Sequence, residues 1–237
     1  MTSIPPKCFL QGIAELDLRL EEEVIHRLGQ YMDLLLTANQ QINLTAVREP
    51  DAAWVRHILD SLTISRSPDR DQHVIDVGSG GGLPGIPLAI VRPDLHVTLL
   101  EATGKKAAFL EATVQTLGLA QVRIISDRAE TAGHDATQRA HYDLAVGRAV
   151  SALPVFLELT APLVRVGGCI LAMKGKRVGA ELASAQHALG ELGLEVIQTH
   201  TFFAGQEHES RVVEVIKRET TDKKYPRRPG MPAKRPL

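Results

Sequence analysis

The feature that most constrains this chain is a glycine-rich loop between a short apolar run and a helical stretch. The apolar run is His73–Val77, and the loop after it carries glycines at positions 78, 80, 81 and 82. Glycine lets the backbone turn sharply and leaves no Cβ between the chain and a ligand. A helix that begins near Pro84 would add free N–H groups and a partial positive charge. We therefore predict a strand, loop and helix that together bind a polar or anionic group of a small molecule.

From residue 73 onward, short β-rich runs alternate with helical stretches, a pattern typical of an α/β fold with a parallel sheet. Strands are predicted at His73–Val77, His96–Leu100, Val122–Ser126, Leu144–Gly147, Cys169–Lys174, Leu194–His200 and Arg211–Lys217. Helices are predicted to begin near Pro84, Lys105, Leu153 and Val178. Only the loop Thr201–Ser210 separates the last two strands, so we expect them to pair antiparallel. The prediction is a Rossmann-like fold with a mostly parallel sheet and a terminal antiparallel hairpin, the variant found in S-adenosylmethionine (SAM) methyltransferases.

A small helical extension is predicted before this domain, over residues 1–70, and the domain itself over residues 71–219. Residues 14–38 carry apolar side chains at three- and four-residue spacing, which predicts one amphipathic helix. A second helix is expected to begin at Pro50, because the fixed φ of proline suits the first helical position. Trp54 and Leu62 would lie in its buried stripe.

Residues 220–237 form a basic C-terminal tail. Six basic residues and no acids lie between Lys223 and Leu237, although the whole chain has a net charge of −1. A basic tail on an otherwise acidic chain is typical of proteins that bind a polyanion. The same composition also fits a flexible, solvated terminus. Both interpretations stay open at this point.

Several classes of protein are disfavoured by what the chain lacks. No apolar run approaches the roughly 20 residues that span a bilayer, and the first residues do not resemble a secretory signal. Cys8 and Cys169 lie far apart, and the nine histidines show no HxxxH or HExxH spacing. We therefore expect a cytoplasmic protein without a membrane segment, a disulfide framework or a bound metal.

An acidic residue lies where a bound nucleoside would need one. The second predicted strand ends in Leu99-Leu100-Glu101, about 20 residues past the glycines. A carboxylate at that position can accept hydrogen bonds from both ribose hydroxyls, in NAD and SAM sites alike. Glu101 therefore supports a cofactor that contains adenosine, and it does not separate these two. The plainer alternative is a tight surface turn followed by a solvated glutamate.

The spacing of the glycines does separate the two cofactors. The dinucleotide fingerprint is Gly-x-Gly-x-x-Gly, and Leu83 occupies the position of its third glycine. That glycine permits close helix–strand packing in folds that bind a pyrophosphate, which SAM lacks. The spacing of the acid and the glycines from residue 76 to residue 82 is similar to the first motif of SAM methyltransferases. The residues predicted to bind SAM are Asp76, Gly78, Gly80, Gly82 and Glu101.

Two further strand ends carry charged residues. Asp127 and Glu130 follow the third strand, where they could read the edge of an adenine or simply cap a helix. Arg148 ends the fourth strand and would face the reacting group, because ligands lie outside the carboxyl ends of the strands. It could hold a phosphate or stack on a base. The alternative is that it pairs with a nearby acid.

Together the motifs resemble those of a known family, the bacterial small-subunit ribosomal RNA guanine-N7 methyltransferases, also called the glucose-inhibited division protein B family. The stretches that carry the resemblance are Asn43-Leu-Thr-Ala, Val55-Arg-His-Ile-Leu-Asp-Ser61, residues 76–87, Gly104-Lys-Lys106, Gly147-Arg-Ala149 and Lys174-Gly175. The resemblance implies a cytoplasmic enzyme that uses SAM to methylate N7 of one guanine in 16S rRNA, within the 30S subunit or a precursor.

The resemblance also implies roles for individual residues. The residues it implies around SAM are Gly78, Leu83, Ala129, Glu130 and Arg148. The residues it implies around the substrate, as tentative catalytic or positioning groups, are Arg56, His57, Lys105, Arg148 and Lys174. We expect Arg56 and His57 on the helix face opposite Trp54 and Leu62. From spacing alone, Arg56 could instead pair with Asp60 four residues on, and His57 could be an ordinary surface or core histidine.

Two functions of other classes remain as alternatives. An NAD-dependent oxidoreductase would share the strand, the loop and Glu101, although the missing third glycine argues against it. A non-catalytic RNA-binding or ribosome-assembly protein could keep the same fold without turnover. A methyltransferase acting on a protein or a small molecule is set aside only by the family resemblance and the basic tail.

Overall fold

The structure is a computed structural model that describes residues 3–148, 151–176 and 178–237. Its centre is a seven-stranded sheet of order β3-β2-β1-β4-β5-β7-β6. The strands are β1 (His73–Val77), β2 (His96–Leu100), β3 (Val122–Ile125), β4 (Tyr142–Arg148), β5 (Val164–Lys174), β6 (Leu194–Phe202) and β7 (Ser210–Lys217). Strand β7 pairs antiparallel with both β5 and β6, and the pairs among the first five strands are parallel. The predicted fold class is confirmed.

Helices cover both faces of this sheet. One group comes from the N-terminal part of the chain: α1 (Lys7–Glu15), α2 (Glu22–Ala38), α3 (Pro50–Ala53), a π-helix (Trp54–Leu59) and α4 (Asp60–Leu62). The others are α5 (Gly85–Val91), α6 (Gly104–Thr116), α7 (Ala129–Ala132), α8 (Leu153–Thr160), α9 (Val178–Ser184), α10 (Gln186–Leu192) and α11 (Met231–Lys234). No helix in the described part of the chain is both long enough and apolar enough to cross a membrane.

Two apolar cores hold these layers together, one on each face of the sheet. The first joins the N-terminal helices to the sheet through buried side chains such as Leu28, Trp54, Ile86 and Leu99. The second lies under α8 and α10, and it includes Ile75 and Phe156. Since residues from the first 70 share a core with the sheet, the N-terminal helices brace the sheet directly.

The single helix predicted over residues 14–38 is wrong, because the chain breaks between α1 and α2. Asp17 has a φ of +51°, and the Leu18 N–H bonds back to the Ile13 carbonyl at 3.1 Å. This six-to-one bond around a left-handed residue ends a helix in the way of a Schellman motif. Apolar residues continue on both sides of the break, which is why the periodicity conceals it.

The basic tail differs from the flexible segment that its composition predicted. Tyr225 and Pro232 are buried. Arg227 pairs with Glu158 of α8, a residue with no exposed surface. The tail is therefore packed, because one of its basic side chains neutralises an acid inside the molecule.

The order of the strands brings the predicted site residues to one edge. Strands β1 and β2 run parallel with Val77 beside Leu100, and β1 also lies beside β4. The residues that follow these strands, Gly78 and Glu101, and Arg148 at the end of β4 therefore meet at the same edge of the sheet. Ala149, the last residue of the Gly147-Arg-Ala149 motif, lies outside the described residues.

Candidate functional site

Two cavities lie side by side at this edge of the sheet. The first has a volume of about 230 Å³ and is lined in part by Gly78 and Glu101; it is called the glycine-loop cavity below. The second has a volume of about 530 Å³ and is lined in part by Arg148 and Lys174; it is called the arginine cavity. Ser151 lines both cavities, so ligands bound in the two would approach each other at this residue.

The glycine loop has the backbone conformation that its sequence predicts. Gly78, Gly80 and Gly82 all have positive φ, at +75°, +57° and +93°. A Cβ added to Gly80 would meet only the Gly78 carbonyl oxygen, at 3.8 Å, so open space lies beside this residue. A Cβ added to Gly82 would come within 2.5 Å of the Ile86 side chain. Gly82 therefore permits close packing of the loop on α5, while Gly80 leaves room for a ligand.

Leu83 lies behind this loop. Its side chain is buried in the first apolar core, and its N–H bonds to the Ser79 carbonyl at 3.1 Å. The Leu83 side chain therefore supports the loop from beneath, and the role at the SAM site that the family resemblance implies stays a prediction.

Glu101 ties the two strand ends together. Its carboxylate is buried and accepts hydrogen bonds from the Gly80 N–H at 2.9 Å and the Thr103 N–H at 2.7 Å, one on each oxygen. Each carboxylate oxygen can accept a second hydrogen bond. The group can thus keep the loop in place and still bind a pair of hydroxyls, as the predicted contact with a ribose requires.

Asp76 is completely buried under the loop and does not line either cavity. One of its oxygens accepts the Gly85 N–H at 3.0 Å, and the other has no partner among the described residues. Burial raises the pKa of this carboxyl to about 7. The Asp76 side chain therefore joins the end of β1 to the first turn of α5, and its role in SAM binding stays a prediction.

The third strand end contributes Ala129 and Glu130 to the glycine-loop cavity, as the family resemblance implies. Glu130 is buried, and its carboxylate accepts the Gly230 N–H at 2.8 Å. Asp127 also lines the cavity, and its side chain accepts the N–H of Arg128 at 2.7 Å. This bond is to the next residue and does not cap α7, so the role of Asp127 at the adenine stays a prediction.

The arginine cavity is organised around Arg148. The guanidinium donates to the Arg56 carbonyl at 2.6 Å and to the Asp60 carboxylate at 3.0 Å, with His57 Nδ1 at 3.1 Å. Arg148 therefore pairs with an acid and also lines the cavity, so its two predicted roles are compatible. Asp60 comes from the second helical segment, 88 residues earlier in the chain.

His57 is a neutral, buried imidazole. Its Nδ1 faces the Arg148 guanidinium, which can only donate, so the proton must lie on Nε2. Nε2 is 2.6 Å from the Thr45 hydroxyl. Burial, followed by the charge of Arg148, lowers the pKa of His57 to about 4. His57 was expected on the helix face opposite Trp54 and Leu62, but like these residues it is buried, and it lies between Thr45 and Arg148.

The other cations of the arginine cavity also have partners. Arg56 is half-exposed and pairs with Glu207 at 2.5 Å, so the pair with Asp60 that its spacing allowed does not form. The Lys174 side chain is 8% exposed and pairs with Glu181 at 2.8 Å. Its ammonium also donates to the Ser151 carbonyl at 2.6 Å, which holds the residue shared by the two cavities.

Lys105 does not join this group. It lies in the first turn of α6, is exposed and lines neither of the two cavities. Sequence reasoning in turn missed Ser151 and Glu181, for which no local pattern gives a signal. Thr45 belongs to the Asn43-Leu-Thr-Ala stretch, which was noted only as a motif. The tail residues beside the glycine-loop cavity were also missed.

The two cavities favour binding and positioning over proton transfer. Among the described residues of the arginine cavity, Asp60 pairs with Arg148 and Glu181 pairs with Lys174, so both acids already have a partner. The described part of the chain has no group of three or more His, Cys, Asp or Glu side chains that could hold a metal ion. A flexible ligand with hydroxyls suits the first cavity, and a polar, anionic ligand suits the second.

Comparison with protein families gives a match over residues 24–210 to the model described as rRNA small subunit methyltransferase G. A ribosomal RNA small subunit methyltransferase G from Halalkalibacterium halodurans is 41% identical over 232 residues, covering 97% of this chain and 98% of its own. Another from Chloroflexus aggregans is 39% identical over 238 residues and covers the whole of both chains.

Comparison with solved structures supports the fold. The crystal structure of M. jannaschii TYW2 in complex with AdoMet matches with a TM-score of 0.51 and 16% sequence identity. The match covers 69% of this chain and 76% of that one.

Proposed function

The chain belongs to the rRNA small subunit methyltransferase G family, and from this premise we propose that it transfers the methyl group of SAM to N7 of one guanine in 16S rRNA. The observation that carries the proposal is the meeting of two cavities at Ser151. One is built from a glycine loop and a carboxylate, and the other from arginine and lysine side chains. A nucleoside cofactor and a polyanionic substrate would each find the groups they need.

The residues of the glycine-loop cavity fit SAM. The open space beside Gly80 and the remaining acceptor capacity of Glu101 suit the ribose. Ala129 and Glu130 would border the adenine. When bound, the cofactor supplies an electrophilic methyl group: the S–CH₃ bond breaks as the N7–CH₃ bond forms, the electron pair stays on sulfur, and the positive charge passes to the guanine.

The residues of the arginine cavity would then orient the guanine. N7 is an acceptor with a free lone pair, so no base has to remove a proton from it. Catalysis by placement alone can lower a barrier by roughly 7–11 kcal/mol. The third hydrogen of the Lys174 ammonium is available for an acceptor such as O6, because the other two are directed at Glu181 and Ser151. Arg148, held rigidly by Asp60, would contact a phosphate or the face of the base.

The target guanine must unstack from its neighbours in the RNA before it can enter the arginine cavity. In a loop of folded RNA this costs less than in a helix, because loop bases are less strongly stacked. We propose that the substrate is the 30S subunit or a precursor, which presents the target in such a loop. This substrate implies that the protein acts in the cytoplasm.

The test is methyl transfer to 30S particles from cells that lack the protein. With methyl-labelled SAM, the expected product is N7-methylguanosine in 16S rRNA, identified after digestion to nucleosides. Label in another nucleoside, or none in the rRNA, would contradict the proposal. A parallel reaction with protein-free 16S rRNA distinguishes the two possible forms of the substrate.

A variant locates the reaction in the arginine cavity. We expect Arg148→Ala to lower kcat/KM for 30S particles by about 100-fold, because the base loses its positioning group. Arg66→Ala is the matched control, since Arg66 forms an exposed pair with Asp17 away from both cavities. Equal activity of the two variants would remove Arg148 from the site. Binding of SAM and lack of binding of NAD by the unmodified protein would exclude the oxidoreductase alternative.

A further inference from the structure

The basic C-terminal tail borders the glycine-loop cavity, and its position gives it a role that its charge does not suggest. We propose that residues 221–237 form one wall of the cofactor site and contact the adenine half of SAM. The proposal rests on the proposed function for the identity of the ligand. It assigns the tail to cofactor binding and not to RNA binding.

Three tail residues line the same cavity as the glycine loop. They are Gly230, Pro232 and Ala233, and the lining of the same cavity includes Gly78 and Glu101. Pro232 is buried, and the neighbouring side chains Val155 and Leu159 are apolar. A flat ring with apolar faces suits such a wall, whereas the polar ribose suits the side that carries Glu101.

A hydrogen bond connects the tail to a predicted cofactor residue. The Gly230 N–H donates to the Glu130 carboxylate at 2.8 Å, and Glu130 is one of the residues that line the cavity. Gly230 has a φ of +80°, a conformation that favours glycine. The bend in the tail is therefore fixed beside the cavity by a residue of the cavity itself.

A buried ion pair fixes the tail from the other side. Glu158 of α8 has no exposed surface and accepts three hydrogen bonds from Arg227, from its backbone N–H at 2.9 Å, its Nε at 2.8 Å and its Nη2 at 2.5 Å. Helix α8 also supplies Val155 and Leu159 to the cavity. The anchor of the tail and two apolar residues of the cavity thus belong to one helix, so a shift of the tail against α8 would change the cavity.

Arg139 and His134 hold the beginning of the tail. The Arg139 guanidinium donates to four carbonyl oxygens, and His134 Nε2 lies 2.7 Å from the Pro226 carbonyl. The four carbonyls belong to Gly133, Thr221, Asp222 and Tyr225. Contacts of this number are expected for a structural wall and not for an arm that must move to reach RNA.

The experiment changes the size of a wall residue in the full-length protein. Ala233 is exposed at the cavity, so Ala233→Trp should fold and fill part of the space that the adenine needs. Lys234→Trp is the matched control, because the next residue is exposed and does not line the cavity. We expect calorimetry to give a Kd for SAM at least tenfold higher for Ala233→Trp and within twofold of the unmodified protein for Lys234→Trp.

Steady-state methyl transfer separates a cofactor wall from an RNA arm. For Ala233→Trp we expect the KM for SAM to rise and the KM for 30S particles to stay unchanged. Ala233→Leu should show the same split with a smaller rise, and it replaces the tryptophan variant if thermal melting shows that the latter is unfolded. Unchanged SAM binding in Ala233→Trp, or a change confined to the KM for 30S particles, would overturn the proposal. If the unmodified protein bound SAM but methylated no rRNA, the proposed function would fail while the wall could still be tested by SAM binding.

Discussion

The two cavities are built in different ways, although they meet at one residue. The glycine-loop cavity depends on backbone bends and on one carboxylate that holds two backbone N–H groups, and the central parts lie between residues 78 and 101. The arginine cavity depends on side chains that come from distant segments and pair with one another. A site made of backbone can be recognised in a sequence, whereas a site made of long-range ion pairs cannot.

The difference extends to how each cavity would receive its ligand. The shape of the glycine loop is fixed without a ligand by positive φ values and by a hydrogen bond to Glu101. The arginine cavity holds cations that already have acidic partners, so an RNA phosphate must compete with Asp60, Glu181 or Glu207. We therefore expect cofactor binding to respond weakly to salt and RNA binding to respond strongly.

The largest expected effect is on the cofactor side. Glu101→Ala removes the acceptor for the ribose and leaves the N–H groups of Gly80 and Thr103 without their partner. We expect the Kd for SAM to rise at least about 100-fold, equivalent to about 3 kcal/mol. Calorimetry measures the Kd, and Glu111→Ala, a change at an exposed residue of α6, serves as the control. A Kd within threefold of the unmodified protein would mean that the loop does not depend on this carboxylate.

A smaller effect is expected when the ion pair of the arginine cavity is broken. Asp60→Asn leaves the mostly buried Arg148 guanidinium without an acidic partner. The free energy of unfolding should fall by about 1–3 kcal/mol, and kcat/KM for 30S particles should fall with it. The Kd for SAM should stay within twofold of that of the unmodified protein, which would show that the two cavities depend on different contacts. Urea unfolding and calorimetry measure the two quantities, and Asp51→Asn on the exposed side of α3 serves as the control.

The pH dependence of stability tests the environment of His57. An unfolded histidine titrates near 6.5, whereas burial and Arg148 lower the pKa of His57 to about 4. Between these values only the unfolded chain takes up the proton, so the folded protein loses stability as the pH falls. The difference in unfolding free energy between the unmodified protein and His57→Gln should shrink by up to about 3 kcal/mol from pH 7.5 to pH 4.

Comparing the unmodified protein with His57→Gln separates the pH effect of His57 from that of Asp76, which acts in the opposite direction. Burial raises the pKa of Asp76 to about 7, so the folded protein binds a proton there that the unfolded chain releases above pH 4. Asp76 therefore stabilises the folded state at low pH, in the opposite direction to His57. It is present in both proteins and cancels in the comparison. A difference that stays constant with pH would show that the imidazole is not buried beside a cation.

The smallest effect is expected at the mouth of the arginine cavity. The Arg56–Glu207 pair is largely exposed, so Glu207→Gln should change the free energy of unfolding by less than about 0.5 kcal/mol. Because Arg56 no longer has to break its ion pair with Glu207 before it contacts the RNA, the KM for 30S particles should fall by up to about threefold at low salt. The change should vanish at high salt. A large loss of stability would mean that the pair supports the fold.

The sequence predicts the sheet well because its strands are short, apolar and bounded by polar turns. The bounds of β1 and β2 agree with the prediction residue by residue. Strands β4 and β5 begin earlier than predicted, where their pairing shifts register between Tyr142 and Leu144. The residues that extend these two strands do not alternate regularly between apolar and polar, so the sequence pattern does not indicate them as strand.

The parts that could not be predicted depend on contacts between distant residues. A π-helix at Trp54–Leu59 has no signature in composition, and the contacts of the buried His57 are with Thr45 and Arg148, which lie 12 and 91 residues away in the chain. The partner of Arg148 lies 88 residues away, and the partner of Arg227 lies 69 residues away. Net charge alone therefore left a solvated tail and a polyanion-binding tail open, and it gave no sign that one of the arginines completes a buried pair.

The most direct test of the two-cavity account is a crystal structure of the full chain with S-adenosylhomocysteine. The account predicts that the ribose hydroxyls bond to Glu101, that the adenine lies against Pro232, and that the sulfur points toward Ser151 and the arginine cavity. Electron density for the compound outside this pocket, or a sulfur directed away from Ser151, would contradict it.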